Sequence, residues 1–529
     1  MRLTLILGLL APACFSQSPQ VLTYHNDNAR SGSNFAETEL SPGKVGGGLF
    51  GRLYSLPVDA AVYAQPLYMS GLIVNGAMHN VVFAATENNS VYAFDADHGG
   101  APLWQASFNY GAPGATVSAV SSKDVNCTDL QPTIGITGTP AIDAAGGTLY
   151  AVAKTKEVSA SGTSFYFRIH GVSVLTGKEV SPPITITASV PGKCGNVHNG
   201  NVVFDPLIQS QRSALLLLNH ILYIGSASYC DLGNYSGWLL GYDTRTGKQA
   251  AVLNTTADDA TQTCEGGIWQ SGGGPAADLN NNIYVLTGNG GFNANQGGHS
   301  YGNSALKLAT DSTGALSVAD YFTPSNVVDL TDQDLDFAGS GATLLLPDQT
   351  GPNPHLLVAA GKEGTIYLIN RDTMGKFNST QDNVVQSLPQ VIGDGVSSYP
   401  PPVFFNDKIY YSASNDAIKG FQLTNGLLNP TPFATSSAKF TFYGAGLSMS
   451  SAPDGSNAIL WALEGFSKPG MLHAFTTDLK ELFNSNVGAG AVKFAIPTVA
   501  NGKVYVGTQN SLVIYGPLTP RPPTIIEPR

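Results

Sequence analysis

Between Asn80 and Phe108 the chain reads NVVFAATENNSVYAFDADHGGAPLWQASF: an apolar run, a second ending in Phe94-Asp95 and a third around Leu103-Trp104, separated by short polar turns. The same order recurs to the end of the chain. It returns in TLYAVAKT with IHGVSVLTGKEV, in ILYIGSAS with GWLLGYDTRTGKQAAVL, in NIYVLTGNG with SALKLATDSTGALSVADYF, and in HLLVAAGKEGTIYLINRDTMGKF. KIYYSASNDAIKGFQLTNGLL, AILWALEGFSKPGMLHAFTTDLKELF and KVYVGTQNSLVIYG complete the series. A further strand, marked by Pro or small residues, usually precedes each unit, as in AQPLYMSG, GTPAIDAAG, GGGPAADLN, YPPPVFFND and AIPTVANG. Eight units of about four strands predict an all-β chain folded as a single eight-bladed β-propeller. A blade cannot bury both faces alone, so neighbours stack around an axis. The last unit lacks a strand after Tyr515, and FGRLYSLPV, Phe50 to Val58, is suited to supply it, closing the ring and removing its open edges.

Composition agrees with a turn-rich β protein. Charged residues are only 12% of the chain and glycine reaches 60, so the surface is polar without being strongly charged. The net charge of −11 is diffuse and no basic run occurs, which argues against nucleic acid as a partner. The N-terminus, MRLTLILGLLAPACFSQS, has an apolar run from Leu3 to Leu10 and an A-x-A pattern at Ala11 and Ala13, as in a secretory signal over residues 1–16 cleaved after Ala13 or Ser16. Cys14 raises lipoprotein anchoring as the alternative, which Pro12 disfavours. No other stretch has the length of a transmembrane helix, so residues 17–529, ending in a Pro-rich tail over 517–529, are expected to be secreted or periplasmic. Cys127, Cys194, Cys230 and Cys264 allow up to two disulfides there, in three pairings that the sequence does not rank. Without a C-x-x-C, neither a zinc ribbon nor a covalently attached haem is expected.

The Tyr-Ala-Phe-Asp-Ala and Tyr-Asp-x-x-Thr-Gly-Lys endings resemble the repeat of the quinoprotein alcohol dehydrogenase-like propellers, which bind pyrroloquinoline quinone (PQQ). The resemblance spans essentially all of the mature chain, although non-catalytic propellers share the repeat. Four stretches resemble active-site segments of the calcium- and PQQ-dependent members, in the family's order. In ILYIGSASYCDLGNYSGW, Asp231 stands where the family has a calcium-binding acid; in IYVLTGNGGFN, Asn289 stands where an Asn binds the same metal. In DQDLDFAGSG, Asp334 or Asp336 matches the catalytic base. In LLVAAGKEGTIYL, Lys362 matches a cation that touches the quinone, with Glu363 in place of the family's Asn. The family also clamps its quinone between a Trp and a pair of adjacent cysteines. No Cys-Cys pair exists here, Gly274 occupies the Trp position, and Trp269 is the nearest candidate for the platform.

The resemblance therefore implies a dehydrogenase of small alcohols or sugars, with calcium polarising the quinone, an Asp taking the hydroxyl proton and a separate electron acceptor. A rival reading keeps the scaffold without the cofactor and binds a glycan or a protein partner across its loops. A third is non-redox carbohydrate cleavage by axial acids. Each site residue also has an ordinary alternative: Asn289 as a turn residue, Asp334 and Asp336 as loop acids bonding to backbone, Trp269 as blade packing, and Lys362 paired with Glu363 or a neighbouring acid. His170, His198 and His299 stand without a second ligand at metal spacing. HNDNARSG, residues 25–32, suits either the mouth of the axis or a cap on the closure.

Overall fold

Both faces of the middle strands are covered. Ile283–Leu286 is buried along its whole length, and Ile459–Glu464 up to its last residue, so these strands read as unbroken apolar runs. Towards the rim one face meets water, and Trp104–Ser107 alternates buried with exposed. The computed structural model describes residues 19–261, 263–337, 343–395, 399–465, 469–488 and 490–519. The predicted signal segment 1–16, with Cys14, and the tail beyond residue 519 lie outside them.

Eight sheets of four to six strands follow one another along the chain, with a small three-stranded sheet inserted after the second. Most pair as antiparallel meanders; in the third, Leu216–Leu218, Ile221–Ser226, Trp238–Asp243 and Gln249–Asn254 pair in turn. Five of the eight exceed the expected four strands. In two of them the addition comes from the N-terminal segment, Gln20–Val21 beside Leu67–Val74 and Ser33–Asn34 parallel to Ala445–Ser450; elsewhere it comes from connections, such as Lys376–Phe377, which lies parallel to Leu316–Thr323. The strand expected from the N-terminus is present: Phe50–Pro57 pairs antiparallel with Ser511–Pro517, Arg52 opposite Tyr515 and Leu56 opposite Leu512. The first and last sheets share one apolar cluster, in which Tyr68 and Tyr505 pack with ring centroids 5.7 Å apart.

The segment containing HNDNARSG runs past the first strand of each of the eight larger sheets in turn. Gln20–Val21 pairs with Leu67–Val74, and Leu22 accepts from Ile142 N–H at 2.9 Å. Arg30 donates to the carbonyl of Leu215, and Asn28 and Ala29 accept from Ala277 and Leu345 at 2.8 and 2.9 Å. Ser31 accepts from Phe404, Gly32 from Met449, and Asn34 donates to Val499 at 2.7 Å. One short segment thus touches the first strands of all eight of these sheets. Arg30, 0% exposed, gives its protons to the Pro275, Tyr24 and Leu215 carbonyls and the Thr23 hydroxyl. The segment's contacts therefore extend well beyond the closing strand, to all eight of these sheets.

Candidate active site

The Arg30 segment and the candidate site lie at opposite ends. Ala276–Ala277, which meets that segment, pairs with the start of Ile283–Leu286, whereas Asn289 follows the end of that strand. Gly288 makes the site possible. A Cβ there would stand 2.2 Å from Asp336 Oδ1 and 2.8 Å from Trp269 Cδ1, so only glycine passes between the acid and the indole.

Asn289 points at two acids. Its backbone N–H donates to Asp336 Oδ1 at 2.8 Å and its Nδ2 to Asp334 Oδ1 at 2.9 Å, while its Oδ1 accepts from Asn303 Nδ2 at 3.1 Å. Asn303 is fixed in turn, accepting from the Phe337 N–H at 2.9 Å. The helix Val327–Asp332 delivers the chain to Asp334, which takes a left-handed φ of 54°. Lys362 follows the strand Leu356–Ala360 and reaches Asp336 Oδ2 at 2.6 Å, Asp334 Oδ1 at 2.9 Å and the Asp334 carbonyl at 3.0 Å. Burial works against its ammonium, but the two carboxylates outweigh it and raise its pKa. Glu363 is not its partner; that carboxylate accepts from the Tyr367 hydroxyl. The two acids differ in access, the Asp336 side chain being 9% exposed and the Asp334 side chain 70%.

Asp231 joins from another loop. Its Oδ1 accepts from the Tyr235 hydroxyl at 2.7 Å, and burial, with Asp336 and Asp334 within electrostatic reach, raises its pKa. Glu265, which the sequence reading passed over, belongs to the same cluster: burial, then repulsion from Asp231, Asp336 and Asp334, pushes it up to about 7. The signal that could have found it is a pair of matching dipeptides. Cys230-Asp231 and Cys264-Glu265 all have φ between 51° and 59°, and each cysteine is in a disulfide, Cys127–Cys230 and Cys194–Cys264. Covalent ties thus hold both acids in backbone conformations that side chains rarely adopt.

An oxygen-only donor set with one lysine against several carboxylates suits a hard cation such as calcium, and such a charge would relieve the carboxylate repulsion that adds to burial in raising Glu265. The ligand atoms are spread more widely than a coordination shell. Among the described residues the one triplet of candidate ligand atoms lying within 4.8 Å of one another is Cys127, Asp129 and Cys230, two of which are joined to each other. A metal would therefore have to draw Asp231 and Glu265 inward. For a quinone, Gly274 excludes a platform, since even a Cβ there would meet the Ala214 carbonyl at 2.7 Å. Trp269 does border the acids, packed edge-on against Tyr235 with centroids 6.2 Å apart, and its buried Nε1 has no partner. It is therefore core packing and site wall at once. The histidines lie elsewhere: His170 pairs with Glu179 at 2.7 Å, His198 is exposed, and the His299 N–H bonds Asp258.

No family model and no curated protein matches the sequence. Solved structures do match. A quinohaemoprotein alcohol dehydrogenase from Pseudomonas putida HK5 superposes with a TM-score of 0.62 at 14% identity, over 97% of this chain and 84% of its own. The quinohaemoprotein alcohol dehydrogenase of Comamonas testosteroni gives 0.60 at 13%, over 96% and 82%. A europium-containing methanol dehydrogenase gives 0.57 at 15%, over 95% and 99%. At such identities the likeness concerns the fold. In fold, the chain is similar to the quinoprotein alcohol dehydrogenases, as its repeat implied.

Proposed function

We propose that the chain is an extracytoplasmic dehydrogenase of alcohols or sugars working with PQQ and a calcium-class cation, on an eight-bladed ring closed by the Phe50–Pro57 strand. The observation that carries this reading is the single hydrogen-bonded network of Asn289, Asp334, Asp336 and Lys362, with Asp231 and Glu265 in electrostatic reach. The N-terminal signal pattern and the two disulfides support the extracytoplasmic setting. No helix among the described residues is long and apolar enough to cross a membrane.

Asp231, Glu265 and Asn289 would hold the cation, and Lys362 and Trp269 would border the quinone. When bound, the quinone supplies the acceptor for the hydrogen and electron pair leaving the carbinol carbon. The chain's own residues handle the proton. Asp334 is the accessible acid; its Oδ1 is taken by Asn289 and Lys362, so its Oδ2 would receive the substrate's hydroxyl proton. Asp336 is buried and occupied on both oxygens, and its part is to hold the Lys362 ammonium in place. With no haem motif in the chain, electrons would leave to a separate acceptor. One observation favours a binding protein without a cofactor: the Trp269 ring already carries the Arg212 guanidinium, 5.1 Å from its centroid.

The test is calorimetric titration of the chelator-stripped protein with PQQ, with and without calcium, repeated on Asn289→Ala. Calcium-dependent binding that the variant loses supports the dehydrogenase. No heat at high micromolar quinone, with circular dichroism unchanged, refutes it in favour of a glycan or protein ligand.

A further inference from the structure

Across the mouth from the acids stand two buried cations with too few partners. The Arg212 side chain is 11% exposed; its guanidinium carbon lies 5.1 Å from the Trp269 ring centroid and 4.8 Å from that of Phe494, clamped between the two. Its Nε is buried without an acceptor, and its nearest carboxylate oxygen, on Asp129, is 3.8 Å away. The Lys493 side chain, 3% exposed, meets the other oxygen of Asp129 at 2.9 Å, with its ammonium 5.2 Å from the Tyr443 ring centroid. Trp269 Nε1 adds a second buried donor without a partner. Two buried positive charges therefore share one carboxylate, itself 37% exposed, while two N–H groups beside them go unanswered. Buried donors left in this state are costly, and a planar guanidinium held between rings offers its edge to a two-oxygen acid. Burial and the neighbouring Arg212 bring Lys493 down to about 8, in keeping with an excess of positive charge.

The two groups lie within electrostatic reach of shared neighbours: Tyr399 feels Lys362, Asp336, Asp334 and Arg212, and Asp129 feels Lys493 and Arg212 as well as Lys362.

We propose that Arg212 and Lys493, backed by Trp269 and Phe494, form a carboxylate subsite that binds the acid group of the substrate, so that the alcohol presented to Asp334 is a sugar acid or other hydroxy acid. This rests on the reading of the mouth as a dehydrogenase site, but the subsite itself uses none of the residues assigned to the cation. A neutral alcohol would leave Arg212 and Trp269 Nε1 unanswered. A carboxylate would give Arg212 Nε the acceptor it lacks and displace no protein partner from it.

The probes are D-gluconate, its neutral counterpart sorbitol, and PQQ, each titrated calorimetrically into the full mature chain and into Arg212→Gln and Lys493→Gln, with folding checked by circular dichroism. Gluconate is expected to bind at least about tenfold more tightly than sorbitol, to weaken as salt is raised, and to lose that advantage in Arg212→Gln. If Arg212→Gln fails to fold, Lys493→Gln must show the same loss. Gluconate binding that depends on Arg212, with no binding of PQQ under any metal condition, upholds the subsite while removing the dehydrogenase. PQQ binding with gluconate heat absent, or unchanged in both Gln variants, overturns the subsite and leaves the dehydrogenase standing. Loss of PQQ binding in Arg212→Gln with no gluconate binding to the parent protein gives these cations to the cofactor's carboxylates, and also overturns the proposal.

Discussion

Replacing Lys362 by Met would strip Asp336 of its countercharge while leaving it buried, 6% exposed, with only the Asn289 N–H in support. Breaking a buried pair by removing one partner costs about 3–5 kcal/mol. The contact with Asp334 adds little to that figure, because the Asp334 side chain is 70% exposed and solvent screens the pair. The Asn289 N–H, which remains, keeps the loss near the lower bound, so the expected destabilisation at pH 7 is about 3 kcal/mol. Asp336→Asn alone should cost less, since the Lys362 ammonium keeps the Asp334 carboxylate and carbonyl at 2.9 and 3.0 Å. The double variant removes both charges together and should recover about 2 kcal/mol relative to the sum of the singles. Urea denaturation followed by tryptophan fluorescence measures all four proteins. A double-mutant cycle additive to within about 0.5 kcal/mol would mean the two charges are not coupled and would refute the network as described.

Gly288→Ala forces a methyl group to within 2.2 Å of Asp336 Oδ1 and should cost about 1–3 kcal/mol and abolish calcium-dependent quinone binding, read by thermal denaturation and calorimetry. Removing the Cys127–Cys230 bridge by a double Ser substitution frees a span of 103 residues, for which chain entropy alone gives about 4–5 kcal/mol; denaturation should show a loss of that order, with weaker calcium binding because Asp231 is released. Glu87 is fully buried, and that burial raises its carboxyl from 4.5 to about 7, so its favourable share of stability is complete below pH 4.5 and lost as pH rises through 7. The loss amounts to about 3 kcal/mol. Glu87→Gln should flatten the stability profile across that window, and denaturation at pH 4.5 and 7.5 checks it.

Strand pattern, repeat number and the N-terminal strand that joins the last sheet were legible in the sequence because each depends on local alternation and on turn residues a few positions apart. Asn289, Asp334, Asp336 and Lys362 were legible as candidates, because each lies at the end of a repeat strand or in the loop that follows. What the tertiary structure decided were contacts between distant sheets. Cys127 pairs with Cys230 rather than with the nearer Cys194, Asp336 is buried while Asp334 is exposed, and Glu265 is recruited to the acids. Trp269 reaches the site because Gly288 lets it, and Arg212 and Lys493, far apart in sequence, share Asp129. The segment around Arg30 carries no repeat signal, yet it touches all eight of the larger sheets, because its partners exist only once those sheets are assembled. A repeat encodes each blade through short-range spacing; which side chains meet at the centre depends on how blades stack around it, and no local pattern records that geometry.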